Sequence, residues 1–122
     1  MRRFAFPKQA RIAHEREFRR IYGEGKRFVA NPLRFCVMRR EAGQSRLGLA
    51  VSRKVGNSVV RNRWKRAIRE AFRLNRHRLA APHDVVISVA WGAARGDLAR
   101  VTEAFEKLIA WLNAGAESVP GK

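Results

Sequence analysis

Between Ser58 and Arg78 the chain sorts its residues onto two faces of a helix, and this separation limits the fold more than any other feature of the sequence. At about 100° per residue, Val60, Trp64, Ala67, Ile68, Ala71 and Phe72 form one apolar stripe. Arg61, Asn62, Lys65, Arg66, Arg69 and Arg73 form the opposing sector, with Arg63 and Glu70 on the flank. A stripe this wide needs a partner layer to bury it. The helix is therefore expected to cover other secondary structure, with Asn57 or Ser58 as its cap after the loop Arg53-Lys54-Val55-Gly56.

The other face is nearly all of one sign. A solvated helix usually alternates signs to gain i,i+4 pairs, and like charges stacked at that spacing destabilise it. A phosphate backbone is the natural counter-ion; the competing reading is a charged face that is merely solvated. Gly56 and Asn57 also lead into free backbone N–H groups, whose positive dipole end favours phosphate, and Arg53, Lys54 and Arg61 surround that point. The segment lacks the glycine-rich pattern of a nucleotide-binding loop, so no ATP site is expected.

Charge elsewhere supports a polyanionic partner. The 27 Lys and Arg against 10 Asp and Glu give a net charge of +17 over 122 residues. Residues 1–82 carry 23 of these cations and 5 of the acids, whereas residues 83–122 carry 4 and 5, so the last third reads as structural. Arginine supplies 21 of the cations, and its planar fork pairs bidentately with phosphate and stacks on bases. With 46% hydrophobic residues the chain fits one domain and is too apolar for disorder. Cys36 has no intramolecular partner and reads as a small buried apolar residue in a cytoplasmic protein. No apolar run is long enough for a membrane span, and Met-Arg-Arg-Phe-Ala-Phe-Pro-Lys lacks a signal-peptide core.

The remaining patterns suggest a single α+β domain, residues 1–122, with elements in the order α-β-β-β-α-β-α. A basic arm, 1–13, precedes a helix over His14–Glu24, where Phe18, Ile21 and Tyr22 share a face and Gly23 and Gly25 can end it. A short strand over Arg27–Ala30 and a break at Asn31-Pro32 lead to a strand over Leu33–Arg39, with Leu33, Phe35 and Val37 alternating. Glu41–Ser45 reads as a hairpin loop. Over Leu47–Ser52, large residues alternate with Gly48, Ala50 and Ser52, as in a strand closely approached on its second face. Asp84–Ala90, almost uniformly apolar, suggests a central strand. The closing helix, Asp97–Asn113, carries Leu98, Val101, Phe105, Leu108, Ile109 and Leu112 at helical spacing with Asp97 as cap; a polar tail, 114–122, follows.

The stretch Arg46–Phe72, RLGLAVSRKVGNSVVRNRWKRAIREAF, closely resembles the signature region of the bacterial ribonuclease P protein subunit, with Arg61-Asn62-Arg63 at its centre. The order of elements extends the resemblance over about residues 10–112. In that family a catalytic RNA removes the 5′ leader of precursor tRNA with bound Mg²⁺, and the protein contacts the leader and the RNA. The resemblance thus implies an RNA-binding, tRNA-processing subunit of an endonuclease, a ribonucleoprotein whose chemistry and Mg²⁺ belong to the RNA. Its implied partners are ribonuclease P RNA and precursor tRNA, with the free protein monomeric. It further implies a two-layer α/β sandwich with a left-handed βαβ crossover, against the usual right-handed rule.

By position, Arg53, Lys54, Arg61, Asn62, Arg63, Lys65, Arg66 and Arg69 match the family surface that faces catalytic RNA and nearby leader phosphates. Asn57 and Arg73 join them from the helix reading. Phe18 and Tyr22 match the aromatic face that lines the family's leader cleft. Exposed aromatics can stack on bases for roughly 1–3 kcal/mol each, although an i,i+4 aromatic pair serves equally as core. The family often presents another aromatic on the adjoining strand, where Arg34, Cys36 and Met38 alternate here with Leu33, Phe35 and Val37. Phe35 either takes that place or belongs to the core. Trp64, where smaller aliphatics are usual, fits the apolar stripe.

A self-sufficient nuclease would need clustered carboxylates or paired acid–base groups. His14, His77 and His83 fall in or beside separate elements, and Asp84 and Asp97 read as caps or turn formers, so no protein active site is expected. Two other classes remain as rivals: a general RNA-binding module and a cationic protein held on anionic membranes. The second is disfavoured because the central helix needs its apolar stripe to cover strands.

Overall fold

The computed structural model describes residues 10–90 and 99–115. Its elements follow the expected order: α1 (Glu15–Glu24), β1 (Lys26–Ala30), β2 (Leu33–Arg39), β3 (Arg46–Ala50), α2 (Ser58–Asn75), β4 (His83–Val89) and α3 (Val101–Asn113). The strands form one mixed sheet in the order β1-β2-β4-β3. β1 and β4 run antiparallel to β2, while β3 and β4 are parallel neighbours joined through α2.

The position of β4 corrects one expectation. Glu41–Ser45 does not close a hairpin, because β2 and β3 each pair with β4 and not with one another. Every residue of β4 is buried except the half-buried Ser88. A strand that apolar on both faces gains most at the sheet's centre, where both its edges are also paired.

Two clusters of side chains occupy the two faces. On one, Phe35, Val37, Leu47, Val85 and Ile87 meet Trp64, Ile68 and Phe72 of α2 and Phe105 and Leu108 of α3. The stripe of the central helix thus fills the larger half of the core, and Trp64 is 1% exposed. On the opposite face α1 covers a smaller patch of Ile12, Ile21, Cys36 and Val86. Cys36 is buried there and donates from Sγ to the Ile21 carbonyl at 3.2 Å.

The ends of several elements differ from their sequence reading. Asn57, not Ser58, caps α2, its side-chain oxygen accepting from the Val60 N–H at 3.0 Å. The helix stops at Asn75, whose side-chain amide donates to the Ala71 carbonyl; Arg76–Arg78 continues as a 3-10 turn. Ala10 and Ile12, expected in a free arm, are buried, and the Ile12 N–H donates to the Leu47 carbonyl at 2.8 Å beside β3. Residues 1–9 of that arm, Asp97 and Leu98 of the closing helix, and the tail from 116 lie outside the described residues. Arg100 takes the N-cap position of α3 without a side-chain cap bond.

Candidate nucleic-acid interface

The open face of the sheet is explained by its register. Side chains paired laterally across strands point to the same side. The row Arg27–Cys36–Val86–Gly48 therefore faces α1, as does the next row, Val29–Arg34–Ser88–Ala50. Ile21 and Phe18 close over the first row. The second stays largely open and forms the floor of a cleft of about 180 Å³ walled by Tyr22, Arg27 and Val29. Its end at Ala50 lies three residues before Arg53, so the floor leads toward the basic loop that opens α2.

The predicted cleft residues separate here. Tyr22 is 37% exposed and stands over the cleft. Burial pushes its phenol pKa up, with Cys36 adding to the rise and Arg27 opposing it. Phe18 is half-buried above Gly48, so it is part platform and part core. Phe35 is 2% exposed and packs edge-to-face on Phe105, with ring centroids 5.8 Å apart, on the α2–α3 side. Of the two places open to Phe35, its ring takes the core one: residues alternate faces along a strand and Cys36 holds the cleft-side position, while Phe35 still borders the cleft between Arg34 and Cys36. The sequence reading missed Arg27, Val29, Arg34 and Ser88, although the alternation of Arg34 with Phe35 was the available sign of a solvent-facing row.

On α2, Asn62, Arg63, Arg66 and Arg69 are exposed and Lys65 is half-buried. Among the described residues Arg63, Lys65, Arg66 and Arg69 have no acidic partner, and most of the acids pair with other arginines. Glu15 and Glu24 pair with Arg19 and Arg20 along α1, and Glu106 pairs with Arg78. Arg73 is the exception on this face, since Glu70 binds it one turn away. Arg61 donates to the Gly56 carbonyl at 3.3 Å and so also braces the turn into the helix. Gly56 has no room for a side chain, as a Cβ would lie 2.9 Å from Val60 Cβ. Arg53 and Lys54 form a 3-10 turn capped by Ser52, which accepts from the Lys54 N–H at 3.1 Å.

Asp84 opens the central strand as expected, but the strand starts one residue earlier, at His83, and both residues are buried. Asp84 accepts two hydrogen bonds from Arg46, Nε at 2.8 Å and the terminal nitrogen at 2.9 Å. These bonds, more than any other influence, raise the Arg46 pKa, and Glu17 adds a weaker rise. Among the described residues no three or more His, Cys, Asp or Glu gather to hold a metal ion. No described helix is long and apolar enough to cross a membrane.

A mixed sheet with α2 and α3 on one face, α1 and a cleft beside Tyr22 on the other, and a helix whose Arg63, Lys65, Arg66 and Arg69 lack acidic partners among the described residues define a basic α+β protein of the RNA-binding class. A model of the Ribonuclease P family matches residues 6–113. The ribonuclease P protein component of Desulfovibrio desulfuricans is 39% identical over 99% of this chain and 94% of its own length. That of Syntrophus aciditrophicus is 41% identical over 71% of this chain and 73% of its own. The solved structure of the Staphylococcus aureus RNase P protein superposes with a TM-score of 0.75 at 29% identity, covering 84% of this chain and 96% of that one. The chain belongs to the family of bacterial ribonuclease P protein components, the protein subunit of an endoribonuclease of tRNA processing.

Proposed function

We propose that this protein binds ribonuclease P RNA through α2 and its opening loop, and the 5′ leader of precursor tRNA through the cleft beside α1. The observation that carries the reading is the cationic sector of Arg63, Lys65, Arg66 and Arg69, which lacks acidic partners among the described residues. Phosphates would relieve its self-repulsion and release condensed counterions from the RNA. Arg53, Lys54, Asn57, Arg61 and Asn62 extend that surface around the helix N-terminus, and Arg73 borders it.

The cleft offers chemistry suited to single-stranded RNA. Tyr22 supplies a ring on which a base can stack, while Arg27 and Arg34 flank it with cations for the backbone. Stacking on Tyr22 tolerates any base, which suits leaders of varied sequence.

Catalysis would reside in the RNA, and the Mg²⁺ of the reaction with it, as membership of the ribonuclease P protein family implies. The protein, monomeric when alone, would act in the cytoplasm joined to its RNA subunit. The test is cleavage of precursor tRNA by a bacterial ribonuclease P RNA at limiting Mg²⁺, with and without the chain. Stimulated cleavage supports the cofactor role. Tight RNA binding without stimulation of the cognate RNA would instead favour a general RNA-binding module.

A further inference from the structure

We propose that Arg46 is a positioning residue for the cleft: its guanidinium, fixed to the sheet by Asp84, holds Glu17 and thereby sets α1 over the strands. The inference rests on the cleft reading above and adds the device that fixes the cleft's wall.

The guanidinium has two sides. Nε and one terminal nitrogen bind Asp84, its lateral neighbour in the β3–β4 pairing, while the other terminal nitrogen donates to Glu17 Oε2 at 2.9 Å. The Arg46 and Asp84 side chains are 19% and 8% exposed, that of Glu17 33%. The sheet therefore preorganises the fork without help from α1, and α1 is the part free to shift.

At that end the bridge adds a polar tie to the packing of Phe18 over Gly48 and Ile12. Ile21 is its one fully buried side chain, and the C-terminal half is tied by the Gly25 N–H and Cys36 Sγ to the Ile21 carbonyl and by Arg27 to the Tyr22 carbonyl. At the N-terminus His14 makes no side-chain cap. Glu17 adjoins Phe18 and stands five residues before Tyr22, so a tilt of this end moves both aromatics. The bridge also neutralises a carboxylate that would otherwise repel a nearby phosphate backbone.

Arg46 is a poor probe, because its loss leaves the buried Asp84 with only the longer contact to Arg40 Nε at 3.8 Å. Glu17→Ala leaves the Arg46–Asp84 pair intact, and Glu17→Gln keeps an acceptor without the charge. Three quantities are measured: amide hydrogen exchange across α1 in the full chain, affinity for ribonuclease P RNA, and the holoenzyme's preference for a long-leader over a minimal-leader precursor tRNA. Glu17→Ala is expected to speed α1 exchange about fivefold, the scale of a partly exposed ion pair. It should lower the leader preference severalfold and leave RNA affinity unchanged, with Glu17→Gln intermediate. Unchanged α1 exchange would overturn the bridge. Faster exchange with an unchanged preference would overturn its role in the cleft. If the wild-type holoenzyme shows no leader preference, the cleft reading itself fails and the positioning role falls with it.

Discussion

The ring of Phe18 lies over Gly48 so closely that a Cβ on the glycine would sit 2.9 Å from both Cε1 and Cζ. Ile12 closes the same space from the other side, with its Cβ 3.3 Å away. Gly48→Ala must therefore displace the ring or the strand, and overpacking of this kind costs about 1–3 kcal/mol. A lowered denaturant midpoint with unchanged affinity for ribonuclease P RNA is expected. A midpoint equal to wild type would mean that α1 does not bear on β3 at this point.

Phe18 and Tyr22 should respond differently to truncation. Tyr22→Ala removes an exposed ring and is expected to weaken binding of a long-leader precursor by roughly 1–3 kcal/mol with little change in stability. Phe18→Ala takes away packing as well, so both leader affinity and unfolding free energy should fall. Equilibrium binding to the holoenzyme and urea unfolding separate the two. Equal loss of stability in both variants would place Tyr22 in the core.

Arg66→Ala tests the helical surface. Removing one phosphate contact should weaken RNA binding and reduce the slope of log affinity against log salt by about one. Arg61→Ala should do the same while also loosening the turn at Gly56, whose carbonyl Arg61 holds. A slope unchanged in both would place these side chains off the interface.

Burial pushes the Cys36 thiol pKa up, and Arg27 opposes this more weakly. The folded protein therefore keeps its proton at a pH where the unfolded chain has begun to lose it. The resulting stability is present below the unfolded thiol pKa and is lost as pH rises through the folded one. Alkylation near pH 8 should be slow in the folded protein and fast in denaturant. Rapid alkylation of the native chain would show an open path to the first row of the cleft face.

Much of the framework was legible because it is periodic. β2 occupies Leu33–Arg39 as its alternation predicts, and the apolar stripe of α2 is the buried one, from Trp64 to Phe72. What the sequence hid was adjacency. Arg46 and Asp84 stand 38 residues apart with no local pattern to join them, and an apolar β4 does not announce that it will part β2 from β3. The cationic face was visible as a run of one sign; that Glu70 pairs with Arg73 while Arg63, Lys65, Arg66 and Arg69 have no acidic partner among the described residues became visible only in the fold. Phe35 could be assigned to the face of Leu33 and Val37, but which face the cleft uses depends on α1, and α1 is positioned by nonlocal contacts.

The most direct test of the account is the affinity of the reconstituted holoenzyme for one precursor tRNA carrying leaders from a minimal length to several nucleotides, measured against the RNA subunit alone. Affinity is expected to rise with leader length only when the protein is present, and Tyr22→Ala to flatten the rise. Equal affinity across the series, with protein bound, would contradict a leader cleft on this face of the sheet.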